Sequence, residues 1–263
     1  GGRLLWTMHN RAPHREIDRE TFLWARARLV RLADRIHVHA PHAAEHMVER
    51  YRADPGIIRI VPIPSYLGAY EPAERTLARE VDFDRPREIL FFGIIRGEKG
   101  AEALVKAARR LARQGYDYRL RVIGKAHARM RARLGDAGAD APIEIRTDRV
   151  PDAEVPEILA AAHVFAAPYS SLFSTSSVML AMTYGLPVVG PALRELRETV
   201  PGPCRSLLYD PAAPRGLLRA LKDVVRMPAE ELAAHRAACR AFAEARAPMR
   251  IGAQLGAVLD ELA

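Results

Sequence analysis

Lysine is nearly absent from this chain: Lys99, Lys106, Lys125 and Lys222 are the only four among 40 basic residues, so the formal charge of +8 rests on arginine. Cysteine is as scarce. Cys204 and Cys239 make no metal-ligand spacing and no disulfide framework, and they point to a reducing, cytoplasmic compartment. No apolar run approaches the roughly 20 residues that span a bilayer. Zinc spacings, aromatic RNA-binding strands and basic zippers are missing too, so nucleic acid is not an expected partner. The arginines are spread along the chain, many beside Glu or Asp, and read first as a solvated surface. Attraction to an anionic membrane face or a phosphate-bearing substrate is the competing reading.

At 263 residues and 49% hydrophobic, the chain can bury one large core or two small ones. The most informative stretch is Phe91–Gly100, FFGIIRGEKG. It reads as an apolar strand, a glycine turn, two cations (Arg96 and Lys99) and a helix opening near Gly100. Glycine lets the backbone approach a ligand, the cations neutralise charge, and helix amides face an anion. About eighty residues later, Tyr184–Val189 ends a helix at Gly185 and starts a buried strand. The pair suggests a nucleotide diphosphate at the strand ends of an open α/β sheet.

The periodicity predicts strands at 4–8, 34–40, 57–62, 88–92, 118–124, 143–146, 163–168 and 187–190. Helices are predicted at 17–33, 41–52, 100–114, 126–135, 155–162, 176–184 and 194–200, with a helical tail broken at Pro228 and near Pro248. Alternating strands and helices mean a mostly parallel, doubly wound sheet. The expected domains are 1–66, part of an N-terminal Rossmann-like domain; 67–87, a polar linker; 88–228, a complete donor-nucleotide-binding domain; and 229–263, helices packing back toward the N-terminal part. The chain opens on Gly1-Gly2 without methionine, and the early domain has only about three strands, so a missing N-terminal part is expected.

The order of three segments resembles the family-4 glycosyltransferases, which have the two-domain GT-B fold and use nucleotide-diphosphate sugars. They are TMHNRAPH (7–14), FFGIIRGEKG (91–100) and APYSSLFSTSSVMLAMTYGLPVV (167–189). The nearest likeness is to bacterial polysaccharide or glycolipid hexosyltransferases, some of which use GDP-mannose. The resemblance implies an α/β, GT-B-like fold: a complete C-terminal Rossmann-like domain with a truncated N-terminal one. It implies that Lys99 contacts the donor diphosphate with Arg96 as its companion, and that the hydroxyl-rich start of the next helix, Thr175, Ser176 and Ser177, completes the cradle. His9 matches the catalytic histidine facing the transferred sugar. Asn10, His14 and Ser174 are the candidates for sugar or acceptor contacts.

One departure matters. The two glutamates common in the family fall on Leu172 and Leu180, and a run of serines and Thr175 stands in their neighbourhood. Those hydroxyls cap a helix in the plainer reading. His37, His39, His42 and His46 have spacings that a metal site could use, but no matching carboxylate or cysteine accompanies them. Asp82-Phe83-Asp84 resembles the metal motif of another transferase fold but lies in the linker. No metal and no cofactor are expected. The resemblance implies a hexosyltransferase that uses a nucleotide-diphosphate sugar donor and a lipid-linked or polysaccharide acceptor, and arginines of residues 19–31 are expected to hold it peripherally at the inner membrane face. The alternatives are a non-catalytic sugar-nucleotide-binding fragment or scaffold, and a GT-B epimerase, against which the missing glutamates count.

Overall fold

A computed structural model describes residues 2–11, 19–134 and 141–263. The chain forms two compact units: Gly1–Pro64 with Phe173–Thr175 and Arg246–Ala263, and Ser65–Leu172 with Ser176–Ala245.

The first unit is a three-stranded parallel sheet, in order β1 (Leu5–Met8), β2 (Arg35–Val38), β3 (Ile58–Ile60). Helix α1 (Arg19–Leu32) joins the first two strands and α2 (Pro41–Tyr51) the next two. Pro41 suits the first helical turn because its missing N–H has no partner there anyway. Arg52 closes α2 in the left-handed conformation, donating its N–H to Met47 and Val48. Met8, Val30, Ile36, Val38 and Met47 form the core, with Phe173 packed against it. The C-terminal helix, Pro248–Asp260, supplies Ile251 and Val258 to a second cluster with Val61. Just beyond it, the Glu261 carboxylate accepts from Arg59 at 2.6 Å and Arg35 at 2.7 Å, and these bonds hold its pKa at about 2.

The second unit opens with α3 (Ala73–Ala78), inside the stretch expected to be a linker. That stretch is folded into the unit by a half-buried ion pair, with Arg79 donating to Glu71 at 2.7 and 2.8 Å and to Glu157 at 2.7 Å. Then follow β4 (Arg87–Phe92), α4 (Ala101–Arg113), β5 (Tyr118–Ile123), α5 (Ala128–Leu134), β6 (Ile143–Arg146), α6 (Val155–Ala160) and β7 (Val164–Ala166). The rest is α7 (Ser176–Thr183), β8 (Val188–Pro191), α8 (Arg194–Thr199), β9 (Leu208–Tyr209), α9 (Gly216–Arg226) and α10 (Ala229–Glu244). All six strands are parallel, in the order β6-β5-β4-β7-β8-β9. Apolar residues of α4 recur at helical spacing, so Ala101, Leu104, Val105, Ala108 and Leu111 are buried together. Helix α10 belongs to this unit and not, with the helix after it, to the first. Its Arg236 is buried and donates to the carbonyls of Ala162 and His163, which end the turn before β7.

Because the chain runs outward from β4 to β6 and returns to place β7 on the other side of β4, the carboxyl ends of β4 and β7 flank the switch point of the sheet. In open α/β sheets ligands bind outside the strand ends at such a point.

At the opposite end of β4, His163 is buried and committed to one tautomer. Its Nδ1 accepts from the Glu88 N–H at 3.0 Å, and its Nε2 donates to the Asp82 carbonyl at 2.9 Å. A second proton would oppose the Glu88 N–H, and burial pushes the pKa from 6.5 to about 4. The unfolded state therefore binds the proton first, and this histidine's contribution is complete above pH 6.5 and lost as pH falls toward 4. The expected loss is about 3 kcal/mol at most, from a shift worth about 1.4 kcal/mol per unit. Urea unfolding of the parent and of His163→Gln, from pH 7.5 to 4, checks this. The stability gap between them should narrow with acid; a constant gap would contradict the assignment.

Candidate donor-binding site

Three segments of the second unit meet at the switch point. The first is the end of β4. Gly93 follows the strand with φ +124°, and a Cβ there would lie 3.0 Å from the Ser177 Oγ and 3.7 Å from the Lys99 Nζ. Glycine is required because the backbone must pass directly beneath those two polar groups. The second is a 3-10 turn, Gly97–Lys99, which ends in Gly100 at φ +70° and leads into α4. The third is the first turn of α7, where Ser177 stands 3.5 Å from the Lys99 ammonium.

The loops after β4 and β7 are stitched together. Ser170 donates its N–H to the Glu98 carbonyl at 2.9 Å, and its hydroxyl to the same oxygen at 3.2 Å. A Cβ on Gly100 would sit 2.1 Å from the Pro168 carbonyl oxygen. Lys99 is thereby held half-buried, with its ammonium 5.4 Å from the centre of the Tyr169 ring. Burial, reinforced by the nearby Arg96 guanidinium, pulls its pKa below 10.5, while Glu98 opposes them. Arg96 is partly exposed and 4.0 Å from Glu98. A half-buried ammonium flanked by a guanidinium and a helix start is short of negative charge; an anion would relieve all three.

The sequence candidates divide between the units. Arg96, Lys99, Ser176 and Ser177 lie in the second, with Ser176 exposed on the first turn of α7. Thr175 is buried and belongs to the first unit, as do His9, Asn10 and Ser174. There Ser174 donates its hydroxyl to the His9 carbonyl at 2.6 Å, leaving the imidazole of His9 exposed. Asn10 is tied down: its side-chain oxygen accepts from Arg26 at 2.6 Å. His14 lies outside the described residues. Leu180 is buried within α7, and Leu172 is half-buried.

His37, His39 and His42 each bond a main-chain carbonyl, and His46 packs its ring on Tyr51 and Phe173. His37 Nε2 and His39 Nδ1 both donate to the Val61 carbonyl, at 2.9 and 3.1 Å, and His42 Nε2 donates to the Phe173 carbonyl at 2.8 Å. Among the described residues no group of three His, Cys, Asp or Glu is placed to hold a metal ion. Asp82 and Asp84 close a turn, the Asp82 carboxylate accepting from the Asp84 N–H. Cys204 and Cys239, 35 residues apart, are buried with their sulfurs 3.6 Å apart as free thiols. Burial and the shared proton raise the Cys239 pKa.

Gly124 joins these residues without a motif to announce it. It ends β5 with φ +145°, and a Cβ there would lie 1.9 Å from the Gly93 carbonyl oxygen. Its signal is visible in hindsight as a glycine directly after each of two adjacent parallel strands, FFG and VIG. Arg26, expected with the other arginines of residues 19–31 on an exposed basic face, is instead buried and bonds the main chain of Asn10 and Arg11.

A family model, "Glycosyl transferases group 1", matches residues 86–227, more than half of the chain and nearly all of the sheet just described. The chain belongs to this family. It is 31% identical over 180 residues to a D-inositol 3-phosphate glycosyltransferase of Pseudarthrobacter chlorophenolicus, a match covering 66% of this chain and 43% of that one. It is 33% identical over 161 residues to a 2-deoxystreptamine glucosyltransferase of Streptomyces kanamyceticus, covering 59% and 41%. The chain thus spans less than half the length of these curated relatives. Among solved structures, a sucrose-phosphate synthase of Thermosynechococcus elongatus matches with TM-score 0.77 at 20% identity, over 98% of this chain and 67% of that one. Anabaena HepE in complex with UDP-glucose matches with TM-score 0.76 at 15% identity, over 99% and 72%. At these identities the likeness establishes the fold, which is α/β with parallel sheets and GT-B-like.

Proposed function

We propose that the chain carries the donor site of a hexosyltransferase, which moves a sugar from a nucleotide-diphosphate donor to a hydroxyl-bearing acceptor. The observation that carries this reading is the Lys99 ammonium, half-buried between Gly93, Ser177 and Tyr169 at the switch point of a family member's sheet. As the glycosidic bond breaks, charge collects on the departing diphosphate. Lys99, Arg96 and the amides opening α7 meet that charge with donors already in place, so little reorganisation is needed. Thr175 and Ser176 extend the same hydroxyl-rich entry. His9 is assigned to the sugar and acceptor side, where an exposed imidazole orients a hydroxyl or takes its proton. Asn10 acts there through Arg26, as a brace for the His9 segment, while Ser174 fixes the His9 main chain. His14 keeps its assignment to the acceptor side on sequence grounds.

GDP-mannose remains a donor candidate by resemblance, and UDP-glucose is the sugar nucleotide named in the HepE complex. A melting-temperature screen against GDP, UDP, ADP and their hexose forms decides between them. At a hundredfold excess over Kd a ligand stabilises by about 2.7 kcal/mol, a shift of several degrees. Shifts for diphosphates that vanish in Lys99→Ala support the site; no shift with any of them defeats the reading.

For the acceptor, the proposal is a lipid-linked or polysaccharide chain reached at the cytoplasmic face of a membrane. A second acceptor class, a cyclitol, is favoured by the names of the two relatives above, so both belong in a transfer assay. Membrane contact is assigned to α1. Thr21, Trp24, Arg28, Arg31 and Leu32 are exposed on successive turns of one face, and Trp24 is 70% exposed. A tryptophan ringed by arginines suits the headgroup layer of an anionic bilayer. Co-sedimentation with phosphatidylglycerol vesicles should fall at least tenfold in Trp24→Ala with Arg28→Glu and Arg31→Glu. Equal sedimentation of parent and variant would remove the membrane assignment.

A further inference from the structure

Phe173 lies in the chain between β7 and α7 of the second unit, yet it belongs to the first. Its ring is enclosed there. His42 and His46 present ring edges to it, with centroids 5.4 and 5.7 Å away, and the Arg11 guanidinium lies 5.6 Å from its centre. His46 packs in turn on Tyr51 at 5.8 Å. The main chain is held as well, since His42 donates to the Phe173 carbonyl and the next residue, Ser174, donates to the His9 carbonyl. Two residues beyond Ser174, α7 begins; one residue further on, Ser177 stands beside Lys99.

We infer that Phe173 is a positioning residue, an aromatic peg whose cradle of His42, His46 and Arg11 fixes the serine turn at the entry to α7. The inference rests on the glycosyl-transfer reading for its consequence, but not for its geometry. A turn of short hydroxyl-bearing residues would sample many conformations, because such side chains bond their own backbone in several ways. A large ring packed by three side chains and bonded at its own carbonyl removes that freedom at a single residue. The turn then holds its amides and hydroxyls in one arrangement. Misplacing reacting groups by about 1 Å costs on the order of 100-fold in rate. The diphosphate, held by Lys99 and Ser177 within the other unit, should be far less affected.

The test compares the parent with Phe173→Ala and with Phe173→Leu, which keeps most of the apolar volume but has no ring. Hydrogen exchange in peptides covering residues 170–178 should rise at least tenfold in Phe173→Ala, with strands β4 to β8 unchanged, and less in Phe173→Leu. Hydrolysis of UDP-glucose and GDP-mannose, in which water takes the hexose and nucleoside diphosphate is released, should fall about 10- to 100-fold in kcat for the alanine variant. Its Kd for UDP and GDP should stay within threefold of the parent's. Unchanged exchange in the turn overturns the inference in either variant. So does faster exchange with an unchanged kcat, or an equal fall in kcat and affinity, which marks general damage. If the parent itself releases no nucleoside diphosphate, the transferase reading fails; the exchange result then still decides whether Phe173 holds the turn.

Discussion

Lys99→Ala is expected to lower donor turnover by about 10²–10³-fold, the range found when one preorganised donor to a developing oxyanion is removed. The same change should raise the thermal stability of the unliganded protein. Lys99 has a folded-state pKa below 10.5 because its ammonium is partly buried beside Arg96. The folded state thus binds its proton less tightly than the unfolded chain does. Stability linked to this group falls as pH drops through 10.5 to the folded-state pKa, and at neutral pH the charged lysine is a constant cost. Alanine removes the cost together with the function. Melting curves and turnover for parent and variant check both signs; a variant that is less stable and still active would refute the assignment of Lys99 to the donor.

Gly124→Ala should be the most damaging small substitution in the second unit. The added carbon would meet the Gly93 carbonyl oxygen at 1.9 Å and the Gly93 carbonyl carbon at 2.7 Å, backbone that has nowhere to move without opening the ends of β4 and β5. The backbone at 124 also has φ +145°, which side-chain-bearing residues rarely adopt. Strain and crowding together should cost about 3 kcal/mol or more. For a domain of this size that lowers Tm by roughly 10 °C. Gly115→Ala is the matched control. Gly115 has φ +75° but open space around its Cβ position, so only conformational strain of about 1–2 kcal/mol applies. Calorimetry on both variants separates the causes. Equal losses would mean that close approach of the two strand ends is not what selects glycine at 124.

Much of the second unit could be read from sequence because its elements are short, regular and punctuated. FFGIIRGEKG carries an apolar run, glycines and cations in the order the structure uses them, and α4 shows its buried stripe as plain helical spacing. Less legible were features that depend on distant partners. Residues 67–87 look like a linker because they are polar, yet Glu71 and Arg79 satisfy each other inside the fold. Two-residue β9 has too little length to show any period. Arg26 reads as one of several surface arginines on α1; its burial follows from carbonyls at Asn10 and Arg11 that need a donor. Phe173 sits among serines with no pattern around it, and its cradle comes from residues 127 to 162 positions earlier in the chain.

On the proposed reading the site recognises paired phosphates rather than base or sugar, and calorimetric titration tests that most directly. Whichever nucleotide gives the largest melting shift should bind as the diphosphate at least tenfold more tightly than as the monophosphate. In Lys99→Ala that ratio should collapse toward one. Equal affinity for monophosphate and diphosphate in the parent, or a ratio untouched by the substitution, would contradict the account.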